Sequence, residues 1–278
     1  MTYAIEIVVP GTEGPVFAPA GVSSPASVCS GCTVTGGRVE RLSEATSGQE
    51  VLLVAPEGAE VTFRYDYSGQ PGTYPEAIFH PVPSRYTRAA PALEEEARQI
   101  AGTGDDLARA LRIARATAER FDYGHPERKF TDGFDHVPHL TCRLTEGSCV
   151  DIHTYFLASL RAAGIEAGYV VGYFFPEVGD CTSGHCWAVT RIGGQTQEWD
   201  ISHFLQIGRR DAGPALNPKG GFRLPVGHST ALCHPGIGFA DLKLLVEPVM
   251  MRDGEAVRFD TKRIRLLMPS PPGNGPLS

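Results

Sequence analysis

Gly147-Ser148-Cys149-Val150-Asp151, running on to Ala158-Ser159-Leu160-Arg161-Ala162-Ala163-Gly164-Ile165-Glu166-Ala167, reads as a capped helix that opens on a cysteine. Ser148 is a favoured N-cap residue. Ile152, Phe156, Leu157 and Leu160 recur at helical spacing and form one apolar stripe. Gly164 fits the position just past the helix end, so the helix is predicted from Ser148 to Ala163. Its first turn is where the chemistry lies. Backbone N–H groups there have no intrahelical partner and the dipole favours negative charge, so a Cys149 thiolate is stabilised. The same N–H groups can receive an oxyanion. A thiol in mid-helix has neither advantage.

A nucleophilic thiol needs a base, and the base needs an orienting group. Downstream, 167–175, 185–192 and 195–201 read as strands, with Gly193-Gly194 as a tight hairpin turn between the last two. His185 lies eight residues before Gly193, and Asp200 six after Gly194. A small register offset or bulge makes His185 and Asp200 cross-strand neighbours. The carboxylate could then hold one imidazole nitrogen while the other faces the thiol.

With those residues in place, the chain resembles the transglutaminase-like superfamily. The segment from Gly147 to Ala167 is similar to its nucleophile helix, Val171-Gly172-Tyr173 to the strand that follows, and His185-Cys186-Trp187 to its His-x-Trp. Asp200 matches its later aspartate, and the order Cys, His, Asp is kept over roughly residues 105 to 205. The resemblance implies a papain-like α+β core that transfers acyl groups through a thioester, in protein crosslinking, deamidation, or peptide or amide hydrolysis. It also implies Cys149 as nucleophile, His185 as general base and acid, and Asp200 as orienting carboxylate. One departure marks a distinct subfamily: Trp199 directly precedes Asp200, and Ile201-Ser202 follows where the family commonly has Pro.

Upstream, residues 3–9, 50–54 and 60–65 are short, β-branched or aromatic runs bounded by Gly, Pro or Ser. They predict a β-rich N-terminal module over 1–70. A Gly/Pro loop, 68–75, leads into a catalytic core expected over 71–268. Helices are predicted at 93–100 and from Asp105 through Leu107, Leu111, Ala114 and Phe121. They read as scaffold. Toward the C-terminus, 239–268 offers two strands around Arg252-Asp253-Gly254, and the composition of 269–278 predicts a disordered tail.

Hydrophobic residues at 42% and charged residues at 21% fit a globular chain able to bury a core. A net charge of −7 without a basic stripe argues against nucleic acid and anionic membranes. No run approaches the roughly 20 apolar residues that span a bilayer, and no secretory signal is apparent. Seven cysteines, an odd count, make a poor disulfide framework. The expectation is a cytoplasmic enzyme without cofactor or metal, acting on a peptide, protein or small amide substrate.

Several further side chains invite a role. Trp187 and His153 are candidates to wall the substrate pocket. His139, Thr141 and His136, in the loop that approaches Cys149, are candidates for substrate binding or a second oxyanion donor. Cys149, His153, Cys181 and His185 could alternatively ligate zinc, and a transglutaminase-like fold could serve as a non-catalytic binding module. Cys29-Ser30-Gly31-Cys32 lacks the helix start that a redox pair wants and has no second pair to complete a zinc ribbon. His203 reads as a surface or loop residue, and Cys142 and Cys233 have no supporting context.

Overall fold

The structure is a computed structural model that describes residues 2–141, 144–181, 183–216, 218–235, 239–252 and 255–268. Cys142, the Asp253-Gly254 turn and the tail over 269–278 lie outside these residues.

The N-terminal alternation of apolar and polar residues forms strands. They are β1 (Thr2–Pro10), β2 (Val16–Pro19), β3 (Val28–Thr35), β4 (Gly37–Ser43), β5 (Glu50–Pro56) and β6 (Glu60–Ser68). On β1, Ile5, Ile7 and Val9 are buried, as are Val61, Phe63, Tyr65 and Tyr67 on β6. That period of two points each set of side chains to one face. Helices α1 (Pro91–Ala101) and α2 (Asp106–Arg120) follow, the latter capped by the Asp105 side chain on Ala108 N at 2.8 Å. Phe121, expected in the helix, instead begins β7 (Phe121–Tyr123), which pairs in parallel with β8 (Thr145–Gly147). Then come α3 (Cys149–Ala162), β9 (Ala167–Phe175), β10 (Gly179–Cys181), β11 (His185–Ile192), β12 (Gln195–Trp199) and α4 (Ile201–Gln206). The chain closes with β13 (Phe222–His228), β14 (Leu232–His234), β15 (Phe239–Leu242), β16 (Val249–Arg252), β17 (Glu255–Arg258) and β18 (Arg263–Leu267).

The architecture is α+β with antiparallel main sheets. Two five-stranded sheets, ordered β10-β18-β1-β6-β3 and β17-β16-β2-β5-β4, face each other across a core that includes Ile5, Ile7, Leu52, Val54, Phe63, Ile264 and Leu266. The β-rich module is therefore built from both ends of the chain. Of the strands expected within the catalytic core over 71–268, β18 pairs with β1, β16 with β2, and β17 with β16 at the edge of that sheet. A terminal strand that alternates apolar and polar residues carries no mark of which sheet it will join.

A separate four-stranded sheet, ordered β12-β11-β9-β13, carries α3 on one face. One face of β9 serves both halves: Ala167, Tyr169 and Val171 pack in the helical core, Tyr173 and Phe175 in the sandwich core. Gly172, on the other face, admits the neighbouring strand, since a Cβ there would lie 2.2 Å from Leu224 O. Tyr67 on β6 donates its hydroxyl to Pro225 O on β13 at 2.6 Å, a polar tie between the two halves.

Leu266 is fully buried opposite Ile5. Leu266→Ala should destabilise the fold by about 2–5 kcal/mol, the range for a truncated core leucine, as measured by urea unfolding. A change below about 0.5 kcal/mol would mean that β18 is not part of the core.

Candidate active site

Cys149 stands at the first position of α3, delivered there by β8. A Cβ at Gly147 would lie 2.8 Å from Phe121 Cδ1, so glycine is what lets β8 run this close to β7 before the helix starts. Ser148 caps the helix, its backbone N–H and its hydroxyl both donating to Asp151 Oδ2, at 3.0 and 2.7 Å. Apolar residues at helical spacing then bury the shaft, leaving Cys149 8% exposed at its mouth. A hydrogen bond from the Cys186 thiol, and after it the His185 imidazole, hold the Cys149 thiol well below its ordinary pKa against the burial that would raise it.

His185 opens β11 and sits opposite Gly172 of β9. Its Nε2 lies 2.8 Å from Asp200 Oδ2, which leaves Nδ1 for the thiol. Burial alone would lower the pKa of this ring. The Asp200 charge and hydrogen bond, with Cys149 beside it, raise it to about 9. The pair therefore favours thiolate and imidazolium together.

The route by which Asp200 reaches His185 differs from the expected cross-strand pairing. The β11–β12 hairpin has no bulge. Ile192 pairs with Gln195 across Gly193-Gly194, and the register runs to Ala188 with Trp199. Both turn glycines have positive φ, 56° and 75°, as a tight hairpin turn requires. The strand ends at Trp199 rather than Ile201, because Asp200 turns the chain into α4 as its N-cap and accepts from His203 N at 3.2 Å.

Asp200 is fully buried and surrounded by donors. Its Oδ1 accepts from Ser202 Oγ at 2.7 Å; its Oδ2 accepts from Arg223 Nε and Nη2 at 3.3 and 3.2 Å. Burial alone would raise its pKa, yet the charge and hydrogen bond of His185 hold it far below the carboxylate range.

His203, expected at the surface, is 2% exposed and stacks on His185 with centroids 4.4 Å apart and planes 12° from parallel. Burial pushes its pKa down to about 3, although Asp200 pulls the other way. The ring is neutral, and Arg223 Nη2 donates to its Nδ1 at 2.5 Å. The spacing of His203, three residues past an N-cap aspartate, was the available signal for it. Arg223, on a strand remote in sequence, gave none.

Behind the thiol lies a second polar group. His153 is fully buried, and its Nε2 accepts from Ile201 N at 3.1 Å. With Nε2 accepting, the ring carries its proton on Nδ1, 3.7 Å from Cys186 Sγ, and burial lowers its pKa. Tyr169 Oη donates to the same sulfur at 3.0 Å. His153 thus supports Cys186 and does not face substrate. Tyr123, at the end of β7, also neighbours the site, its phenol pushed up to about 12 by burial and then by the Cys149 charge. Nothing in the sequence singled it out.

The other candidates fall elsewhere. Trp187 is 1% exposed, packed among Ile78, Phe79, Val170 and Val189, with Nε1 donating to Tyr74 Oη at 3.1 Å. It is a core residue. His139 Nε2 lies 3.2 Å from Glu96 Oε2 on α1, His136 Nδ1 lies 2.6 Å from Asp135 Oδ1, and Thr141 is exposed. The alternative zinc set is not assembled. Cys181 lies on β10, paired with Ile264 of the sandwich. Among the described residues, the groups whose atoms could converge on a metal are His185, Asp200 and His203. Their shared acceptor, Asp200 Oδ2, is already taken by His185 Nε2 and by Arg223, whose cationic side chain is 3% exposed. Such an arrangement suits an ion-pair cluster better than a cation site. Cys29 and Cys32 flank a bulge in β3, away from any helix start.

Residues 94–200, ending on Asp200 itself, match the family model of the transglutaminase-like superfamily. A solved structure named as a "putative cysteine protease" from Cytophaga hutchinsonii is similar over 98% of this chain and 92% of its own, with a TM-score of 0.58 and 15% identity. The periplasmic domain of TgpA from Pseudomonas aeruginosa is similar over 75% of this chain and 90% of its own, with a TM-score of 0.40 and 13% identity. The first of these likenesses speaks to the fold alone. No curated protein matches.

Two titrations check the site. In Asp200→Asn the His185 ring should lose its main support and its pKa should drop from about 9 by at least about one unit, read by NMR of the imidazole nitrogens. An unchanged value would remove Asp200 from the electrostatics. His203, depressed to about 3, and the buried His228, depressed to about 4, bind protons in the unfolded chain before they do so in the fold. Their contribution is complete above the unfolded histidine value of about 6.5 and is lost as pH falls toward the folded values. Urea midpoints should decline over that window, and less steeply in His228→Gln.

Proposed function

We propose, for a chain whose residues 94–200 form a transglutaminase-like core, that it is a thiol-dependent acyl-transfer enzyme acting on amide or peptide bonds. The observation that carries this reading is the 2.8 Å bond between His185 Nε2 and Asp200 Oδ2. It leaves the opposite ring nitrogen to serve a thiol at a helix N-terminus.

In this reading the Cys149 thiolate attacks the carbonyl carbon of a carboxamide or peptide. Charge develops on the carbonyl oxygen, where the unpaired N–H groups of the first turn of α3 can meet it. His185, already protonated, gives its proton to the leaving amine as the tetrahedral intermediate collapses to a thioester. It then takes a proton from the incoming nucleophile, and that nucleophile displaces Cys149. Asp200 holds the ring in one orientation and stabilises the imidazolium throughout. His203 and Arg223 act through Asp200 and are positioning residues. The triad serves water or an amine alike; water needs no acceptor site of its own, so hydrolysis is the reading adopted.

The test is alkylation with iodoacetamide at about pH 6, where an ordinary thiol is largely protonated. Mapped by mass spectrometry, labelling should concentrate on Cys149 and fall at least about tenfold in His185→Ala. Equal labelling of Cys29, Cys181 and Cys233 alongside Cys149 would overturn the proposal.

A further inference from the structure

The second buried sulfur beside Cys149 has no part in the chemistry just described. Cys186 follows His185 on β11, is 2% exposed, and shares the helical core with Cys149. Its sulfur sits against the start of α3: Tyr169 Oη, which bonds it, also lies 3.4 Å from Val150 O, the carbonyl next to Cys149, and His153, one turn along the helix from Cys149, lies beside it. Tyr169 Oη donates to Cys186 Sγ at 3.0 Å, and the His153 Nδ1–H points at it from 3.7 Å. With two donors directed at its sulfur, Cys186 has its own S–H left to donate toward Cys149. The other described cysteines stand apart: Cys29 and Cys32 on β3, Cys181 on β10 and Cys233 on β14.

We propose that Cys186 is a resolving thiol, so that oxidation of Cys149 by a hydroperoxide closes a reversible Cys149–Cys186 disulfide. The inference rests on the reading of Cys149 as a thiolate. In the first step the Cys149 sulfur attacks the distal oxygen of the hydroperoxide. The O–O bond breaks, sulfur loses two electrons to become a sulfenic acid, and the alkoxide or hydroxide leaves and takes up a proton. In the second, Cys186 Sγ attacks Cys149 Sγ, the S–O bond breaks, and hydroxide departs with the Cys186 proton as water.

The surroundings favour that second step. Burial is the main opposition to ionising Cys186, and the hydrogen bond and charge of the Cys149 thiolate add to it. A sulfenic acid is neutral, so that added opposition falls away while Tyr169 and His153 remain beside the sulfur to meet the negative charge that develops on it. Reduction by a dithiol reverses the sequence and returns both thiols. Without a resolving partner, a sulfenic acid is exposed to a second equivalent of oxidant, which carries it irreversibly to sulfinic acid.

The experiment treats the full chain with hydrogen peroxide, blocks remaining thiols and maps the peptides by mass spectrometry, before and after dithiothreitol. The wild-type chain should yield a Cys149–Cys186 linkage that dithiothreitol removes, restoring iodoacetamide-reactive Cys149. In Cys186→Ala, Cys149 sulfinic acid should rise at least about tenfold and resist dithiothreitol. The wild-type map decides alone should that variant not fold. Cys149 that alkylates at about pH 6 but goes to sulfinic acid with no linkage overturns this inference and leaves the enzymatic reading standing. Cys149 inert to both reagents overturns both.

Discussion

A carboxylate with no exposure to water has to be matched by donors from the protein, and Asp200 sets that demand at the centre of this fold. An isolated buried charge is costly, and removing one partner from a satisfied cluster leaves the rest uncompensated. Here the donors come from four places: His185 at the start of β11, Ser202 and His203 in α4, and Arg223 on β13. Strands distant in sequence are thereby obliged to meet at one point. The orientation of His185 is a by-product of satisfying Asp200.

The paired histidines divide two tasks between similar rings. His185 touches both carboxylate and thiol and is pushed toward the cation; His203, stacked on it, is pushed toward the neutral form by burial, with Arg223 donating to its Nδ1. Two adjacent imidazoliums would repel each other, and the environment resolves the conflict by keeping one of them neutral. His153 is neutral too, fixed by the Ile201 N–H it accepts. Three rings of one residue type thus divide into one pushed toward the cation and two neutral ones with their protons on opposite nitrogens, set by which partner each one faces.

Much of this could be read from the sequence, and the misses share a cause. The α3 helix, its cap, its cysteine and the Gly193-Gly194 hairpin are local, written in consecutive residues whose spacing directly states their geometry. The α+β class came from the family resemblance that those residues carry. Asp200 was found as a residue but misplaced as a strand partner, since an N-cap aspartate and a strand-end aspartate look alike until the following residues are seen to turn. Arg223, Tyr123 and Tyr169 were missed because their roles depend on tertiary proximity alone. Trp187 and His153 do share a strand face with His185 and a helix face with Cys149, yet long-range partners cover both: Tyr74, Ile78 and Phe79 enclose Trp187, and Ile201 and Cys186 meet His153. The partition of strands between sheets was illegible for the same reason: pairing is a long-range choice.

That partition has a consequence for how the chain is made. Val8 of β1 is the register partner of Arg263 of β18, so β1 leaves the ribosome long before the strand that completes its sheet on that side. Synthesis proceeds at about 5–20 residues per second, and pairings of such long sequence separation form slowly. The helices and the sheet of β9 and β11–β13 need only residues already made, and can assemble while β1 is still an open edge. During that interval the apolar face of β1 and β6 is a hazard for association with other nascent chains, and the half that carries α3 would be organised before the sandwich that flanks it.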